Sequence, residues 1–336
     1  MPLPFILGGL ALAAAGYGVK KGIDAFDADC EADEFIKKAE SLKEEATKKV
    51  ESAQSDRKLA LAGFGEKKLH VLSYSVSNFL DHFHRLNRSR ITIEGINMQD
   101  IQGQVSDARK ITNQLNANGI DEDSVLGVFA GFGSLGISSF TTGAMLGGGL
   151  TMGGLAGMAV LGGLVAGPAL AILGAVKADE MEEKLEKAKA YHSQVEEAVK
   201  KADAVIDNLR AVEKMAKSFT RQITKLDALF FSLSQDAIAT MKKHNYDTSR
   251  YNQEERDQLC VAVSTLMTLS AFLKVPIIDK DQKLQEKAQR ALEIMKKQMD
   301  ALESGQESGR YNVEMIQSGQ EDFENLLKEG SPRDGI

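Results

Sequence analysis

Tryptophan is absent from the 336 residues, and only two cysteines and five prolines occur. Two thiols so far apart, Cys30 and Cys260, form no disulfide framework, and the default for such a pair is two free thiols in a reducing compartment. Scarce proline leaves long stretches without a helix breaker. A surplus of cationic side chains is missing too: the formal net charge is −7, and no basic patch stands out. Phosphate binding needs clustered Lys and Arg, so nucleic acid is not an expected partner. Without Trp, a membrane protein of this composition would lack the commonest interfacial anchor.

Constellations that carry enzyme chemistry are also missing. The glycine-rich run GGGLTMGG holds no lysine for a phosphate loop. His82 and His84 are two residues apart and so point away from each other on a helix. Neither cysteine has a neighbouring His or a CxxC partner. The expectation is therefore a non-enzyme with no cofactor, no catalytic residues and no bound metal. Asn87-Arg88-Ser89 matches a glycosylation triplet, which matters only in an exported chain.

What is present is an unusual distribution of apolar residues. All 53 positions from 124 to 176 are uncharged, and 15 of the 30 glycines fall among them. At about 20 residues per span, this length suffices for two helices and a turn, with the turn near Gly147-Gly148-Gly149. Asp123 and Lys177 would then lie on one side of a bilayer. Gly149, Gly153 and Gly157 recur at four-residue spacing; Ala159, Gly163, Gly167 and Ala171 make a second such ridge. Small residues on one helix face allow the close backbone approach on which helix association in lipid depends. Leu155, Leu161 and Leu164 supply apolar bulk beside them. A glycine-rich core element of a soluble protein is the plainer alternative. Glycine at this density also weakens a water-exposed helix, which suits a segment stored against other helices and released later.

A second apolar stretch covers Pro2 to Val19, including Phe5, Ile6, Leu7 and Leu10, and is followed by Lys20 and Lys21. Secretory signals carry basic residues before the apolar core, and here they follow it. The stretch reads as a membrane anchor with the two lysines on the cytoplasmic side; a buried helix and a cleaved export signal are the alternatives.

Elsewhere the periodicity is helical. Phe35, Ala39, Leu42, Ala46, Val50 and Ala53 form a heptad-like stripe, and Leu69, Leu72, Val76, Phe79, Phe83 and Leu86 a more aromatic one, with Gly63 and Gly65 as a candidate break between them. Arg90 to Met98 fits a short strand or a loop. Val105, Ala108, Ile111 and Leu115 predict a helix ending near Asn118-Gly119. From Met181 to Leu226 apolar residues keep helical spacing with no Pro or Gly, predicting one helix from about Ala178 to Leu233. A turn is expected at His244-Asn245-Tyr246-Asp247, a helix from Glu254 to Lys274 stopped by Pro276, and another through Leu284, Ala288, Ala291, Met295 and Met299.

The fold class expected is all-α: an elongated bundle of long amphipathic helices with a central glycine-rich hydrophobic hairpin. Its parts are an apolar amino-terminal segment (1–21), a helical region (22–123), the hairpin (124–176), a long-helix bundle (177–303) and a polar, poorly ordered tail (304–336).

This order of helices, then the apolar run Val125 to Val176, then a long helix from Ala178, resembles the α-helical pore-forming toxins of the cytolysin A and haemolysin BL type. The resemblance is one of layout and rests on no residue motif. It implies a protein that hides an apolar hairpin when soluble, inserts it on assembly, and permeabilises or deforms a bilayer as an oligomer. The start Pro2 to Val19 departs from an export signal. The expected location is therefore a bacterial inner membrane with the helical region cytoplasmic, ahead of secretion. Expected partners are the lipid bilayer and a further copy of the chain or a helical subunit. A membrane-anchored coiled-coil scaffold, without pore or enzymatic activity and serving membrane remodelling or defence, is the alternative.

Overall fold

The computed structural model describes residues 24–86, 98–117, 122–134, 179–278, 284–308 and 313–329. Among them every regular element is a helix, and the sole β-type pairing is an isolated antiparallel bridge between Ile278 and Leu284. Helix α1 spans Asp24–Val71 and continues through a π-helical turn, Leu72–Val76, into α2, Ser77–Phe83. Then come α3 (Met98–Ala117), α4 (Glu122–Ser134) and the 65-residue α5 (Asp179–Lys243). A 3-10 turn, Thr248–Arg250, leads to α6 (Gln253–Leu273), α7 (Glu286–Ser308) and α8 (Val313–Lys328). The chain divides into two compact units, Met1–Asp56 with Gly153–Arg210, and Arg57–Met152 with Ala211–Ile336.

In the first unit, α1 and α5 form a heptad seam. Ala32, Ala39, Ala46 and Ala53 recur at every seventh residue of α1, each buried, with Ile36 and Val50 between. They meet Ala188, Val195, Ala202 and Leu209, also seven apart, with Tyr191 and Ile206 completing the contact. Low numbers on α1 pair with low numbers on α5, so the two helices run parallel. Side chains beside the seam keep the same register: Lys184 reaches Asp33 at 3.1 Å and the Tyr191 hydroxyl donates to Glu40. Burial, with Glu40 second, raises the Tyr191 pKa. The Phe35 ring sits edge-on to His192 at 5.6 Å. Outside the seam, Glu precedes Lys by four residues at 34/38, 44/48, 45/49 and 197/201, the orientation that supports a helix in water.

The second unit has a larger core. A chain of rings links four helices: Phe64 of α1 to Phe219 of α5 (5.4 Å), Phe219 to Phe272 of α6 (4.6 Å, stacked), and Phe272 to Phe323 of α8 (5.9 Å). Helix α6 is buried from Val261 to Leu273 on all sides, the mark of a central helix. Its polar residues conform: Thr265 and Thr268 donate their hydroxyls back to the carbonyls of Val261 and Ser264. Between α5 and α6 the chain reverses through Asn245 and Tyr246, whose φ of 54° and 63° are left-handed. Tyr246 lies parallel to the His82 ring at 6.0 Å and its hydroxyl is 2.8 Å from His82 Nδ1. Asn252 and Glu255 then form a reciprocal capping box at the start of α6.

Several expectations change. Gly63 and Gly65 do not break α1, which runs straight through both. The long helix begins one residue later than expected and continues ten further, to Lys243. Instead of a poorly ordered tail from Ser304, α7 extends to Ser308 and α8 follows, with Phe323 and Leu326 buried in the core and Arg290 paired with Glu329. The polar average of that segment conceals a short stripe with one large aromatic. Of the segment Arg90 to Met98, residues 90–97 lie outside the described residues, as does the cap Asn118-Gly119, while Met98 opens α3.

Candidate storage site of the apolar segment

Residues 124–134, the first eleven of the uncharged run, belong to α4 and pack into the second unit. Phe132, Ala130 and Ser134 are fully buried, and Val128 nearly so. Two glycines set how closely α4 lies on α1. A Cβ built on Gly65 would collide with the carbonyl of Phe129 and stand 2.9 Å from the Gly133 nitrogen. One built on Gly133 would collide with the carbonyl of Leu61 and stand 3.0 Å from the Gly65 nitrogen. The backbones therefore touch, and glycine is required by the contact rather than by the helix.

The last four described carbonyls of α4 each accept a hydrogen bond from a side chain or from another segment. The Ser134 hydroxyl donates to Gly131 O at 3.0 Å. The Lys68 amine donates to Phe132 O at 3.3 Å and Gly133 O at 3.4 Å. The backbone amide of Ile277, in the segment after α6, donates to Ser134 O at 3.0 Å. Phe132, Gly133 and Ser134 are thus tied to both α1 and the segment after α6.

Lys68 is itself completely buried. Its amine lies 4.4 Å from the centre of the Phe64 ring and 5.9 Å from that of Phe132. Burial pushes its pKa down to about 7. The carbonyls of Phe132 and Gly133 and the Phe64 ring face favour the charged form. An uncharged amine still has two N–H donors for the two carbonyls, so the cap survives loss of the proton.

The residues singled out from sequence, Gly149, Gly153, Leu155, Gly157, Leu161, Gly163, Leu164 and Gly167 with Phe5, Ile6, Leu7, Leu10, Lys20 and Lys21, all lie outside the described residues. No helix among the described residues is long and apolar enough to cross a membrane. Sequence reasoning passed over Lys68, Gly133 and Ile277, and took Gly65 for a candidate break. Lys68 did leave a signal: it occupies an apolar position in the stripe Leu61, Phe64, Leu72, where lysine is uncommon.

Compared with known proteins, the chain matches no family model, no curated protein and no solved structure.

Proposed function

We propose that the protein inserts its uncharged glycine-rich segment into a lipid bilayer, oligomerises through helical surfaces, and permeabilises or deforms that membrane. The supporting observation is that the first eleven of the 53 uncharged residues lie in a helix packed directly on α1, with Lys68 and Ile277 donating to its last described carbonyls. An apolar helix packed by close backbone contact suits transfer between a protein interior and lipid, since neither provides water. The bilayer and further copies of the chain, or a helical subunit, are the partners; no nucleic acid or enzymatic step enters this reading. The location proposed is a bacterial inner membrane, with the charged helices cytoplasmic and residues 2–19 as an additional anchor.

The parallel heptad seam of the first unit favours a second reading, a constitutive coiled-coil scaffold without a pore. Dye-loaded vesicles separate the two. An inserting protein purifies partly without detergent and releases dye, whereas a scaffold stays in the membrane fraction and releases none. Gly153→Asp with Leu155→Asp tests the inserting element, because charge at bilayer depth is strongly disfavoured. Unchanged vesicle binding by that variant would rule the segment out.

A further inference from the structure

Around the turn between α5 and α6, cationic side chains gather although the chain as a whole is acidic. Lys242 lies in the last turn of α5, and Tyr246 follows it in the left-handed stretch that reverses the chain. That backbone conformation is costly for residues other than glycine and persists only where surrounding contacts hold it. Here the contacts come from α2 and the residues just after it. The Arg85 guanidinium stands 5.6 Å from the centre of the Tyr246 ring, which lies parallel to His82. Arg85 Nη1 donates to the Tyr246 hydroxyl at 3.3 Å, and that hydroxyl is 2.8 Å from His82 Nδ1.

The hydrogen-bond roles follow from this geometry. With Arg85 donating to it, the hydroxyl keeps its own proton for His82 Nδ1, and the neutral imidazole carries its hydrogen on Nε2. His82 Nε2, the remaining N–H groups of Arg85 and the Lys242 ammonium are therefore all donors. The neighbouring carboxylates are engaged elsewhere. Glu255 takes Lys243, His244 and the Asn252 amide, Asp247 takes Ser249 and Arg250, and Asp81 faces Arg109 at 3.8 Å. His84 meets Gln102 at 3.0 Å. Among the described residues neither Arg85 nor Lys242 has an ion-pair partner, and both are exposed, while His82 and Tyr246 are half-buried beside them. Burial first, then the charges of Lys242 and Arg85, holds the His82 imidazole below its ordinary pKa, with Asp81 opposing. Cationic groups kept this close are relieved when an anion sits among them.

We propose that His82, Arg85 and Lys242, set around the Tyr246 hydroxyl, bind a phosphate group, either free or as the headgroup of an anionic lipid. The planar Arg85 fork and the Lys242 point charge both suit phosphate oxygens. His82 adds a neutral donor that becomes a third cation once the anion draws a proton to it. The lipid source rests on the membrane reading above; the phosphate chemistry does not. On that reading, the α5–α6 turn is the surface that recognises headgroups, separate from the uncharged run that enters the bilayer.

The test follows His82 in the full chain by nitrogen-detected NMR of labelled imidazoles, assigned with His82→Asn. Inorganic phosphate at millimolar concentration should raise the His82 pKa, and chloride at the same ionic strength should not. Arg85→Gln and Lys242→Gln should each weaken that response about tenfold. Lys296→Gln, at an exposed lysine of α7, should leave it unchanged. In parallel, vesicles of phosphatidylcholine with phosphatidylglycerol should bind wild type several-fold better than either Arg85→Gln or Lys242→Gln. An equal shift with chloride, or one that survives both substitutions, overturns the site. A phosphate response with vesicle binding indifferent to both substitutions overturns the lipid source and leaves a site for soluble phosphate. The same response in a protein that binds no vesicles overturns the membrane reading while the phosphate site stands.

Discussion

Gly65 on α1 and Gly133 on α4 face one another so closely that a methyl group added to either would meet the backbone of the opposite helix. Gly133 lies within the uncharged run, and Gly65 within the helix that receives it. At this pair the backbones of α1 and α4 are in direct contact. Close approach brings Lys68, one turn further along α1, under the terminal carbonyls of α4.

Gly133→Val should therefore separate the two helices at a cost of about 1–3 kcal/mol, as overpacking does elsewhere. Gly63→Ala is the matched control. Gly63 is exposed, and nothing lies within 4 Å of an added Cβ. Alanine is the better helix former by about 0.5–1 kcal/mol, so this variant should gain stability. Thermal melts of both variants check the pair of signs, and a neutral Gly133→Val would show that the close approach is not needed.

The buried amine makes stability depend on pH. The folded-state pKa of Lys68, about 7, lies below the value near 10.4 of an unfolded lysine. Between those values the unfolded chain holds a proton that the folded one lacks, so stability rises with pH across the window. Below about 7 both states are protonated and this contribution is at its floor. Lys68→Met should flatten the difference between melts at pH 7 and pH 9.5, an effect on the order of a few kcal/mol in the wild type. It should also destabilise the protein at the higher pH, where the carbonyls of Phe132 and Gly133 lose their donor. Identical pH slopes in wild type and variant would exclude Lys68 as the source.

Glu255 gives the same sign of pH dependence in an acidic window, because its folded pKa too lies below the unfolded one. Hydrogen bonds from Lys243, then His244 and the Asn252 amide, hold its pKa at about 2. Its contribution is present above the ordinary carboxylate range and is lost as pH falls from about 4.3 towards 2. Glu255→Gln should melt earlier at pH 6, and the gap to wild type should close on acidification. A gap that persists unchanged at pH 2 would show that the carboxylate charge is not what anchors the α5–α6 turn.

Gly149, Gly153 and Gly157 share a face on a helix, and the small residues are proposed to govern assembly rather than insertion. Gly153→Ile should keep vesicle binding, because Ile partitions into lipid better than Gly. Cross-linked oligomers should diminish, because the tight contact is blocked. Full-size oligomers from the variant would leave glycine with a purely conformational role.

Much of the helical architecture was legible because charge and apolar residues alternate at fixed spacing. The column Ala39, Ala46, Ala53 and the stripe from Met181 to Leu226 each point to one buried face. A heptad stripe names the face but not the direction of its partner, so the parallel pairing could not be read from it. Gly65 looked like a break because its reason, Gly133, is 68 residues away. Helix α8 was missed because its hold on the core rests on few residues, chiefly Phe323 and Leu326, in an otherwise polar stretch. The end of α4 was invisible for a similar reason: its donors come from Lys68 and from Ile277, on opposite sides in sequence.

The parallel seam also sets a timetable for synthesis. Asp33 waits for Lys184, 151 residues downstream, and every alanine of the α1 column waits comparably long. At about 5–20 residues per second, that interval is roughly 8–30 s, during which the amino-terminal half of α1 has no partner. Within it the whole uncharged run leaves the ribosome before the seam can close. Alanine side chains expose little apolar surface while they wait, so the unzipped helix is a poor target for aggregation. The glycine-rich run has no such protection. On the proposed membrane reading, the choice between lipid and packing against α1 is therefore made while the carboxy-terminal half of the chain is still being synthesised.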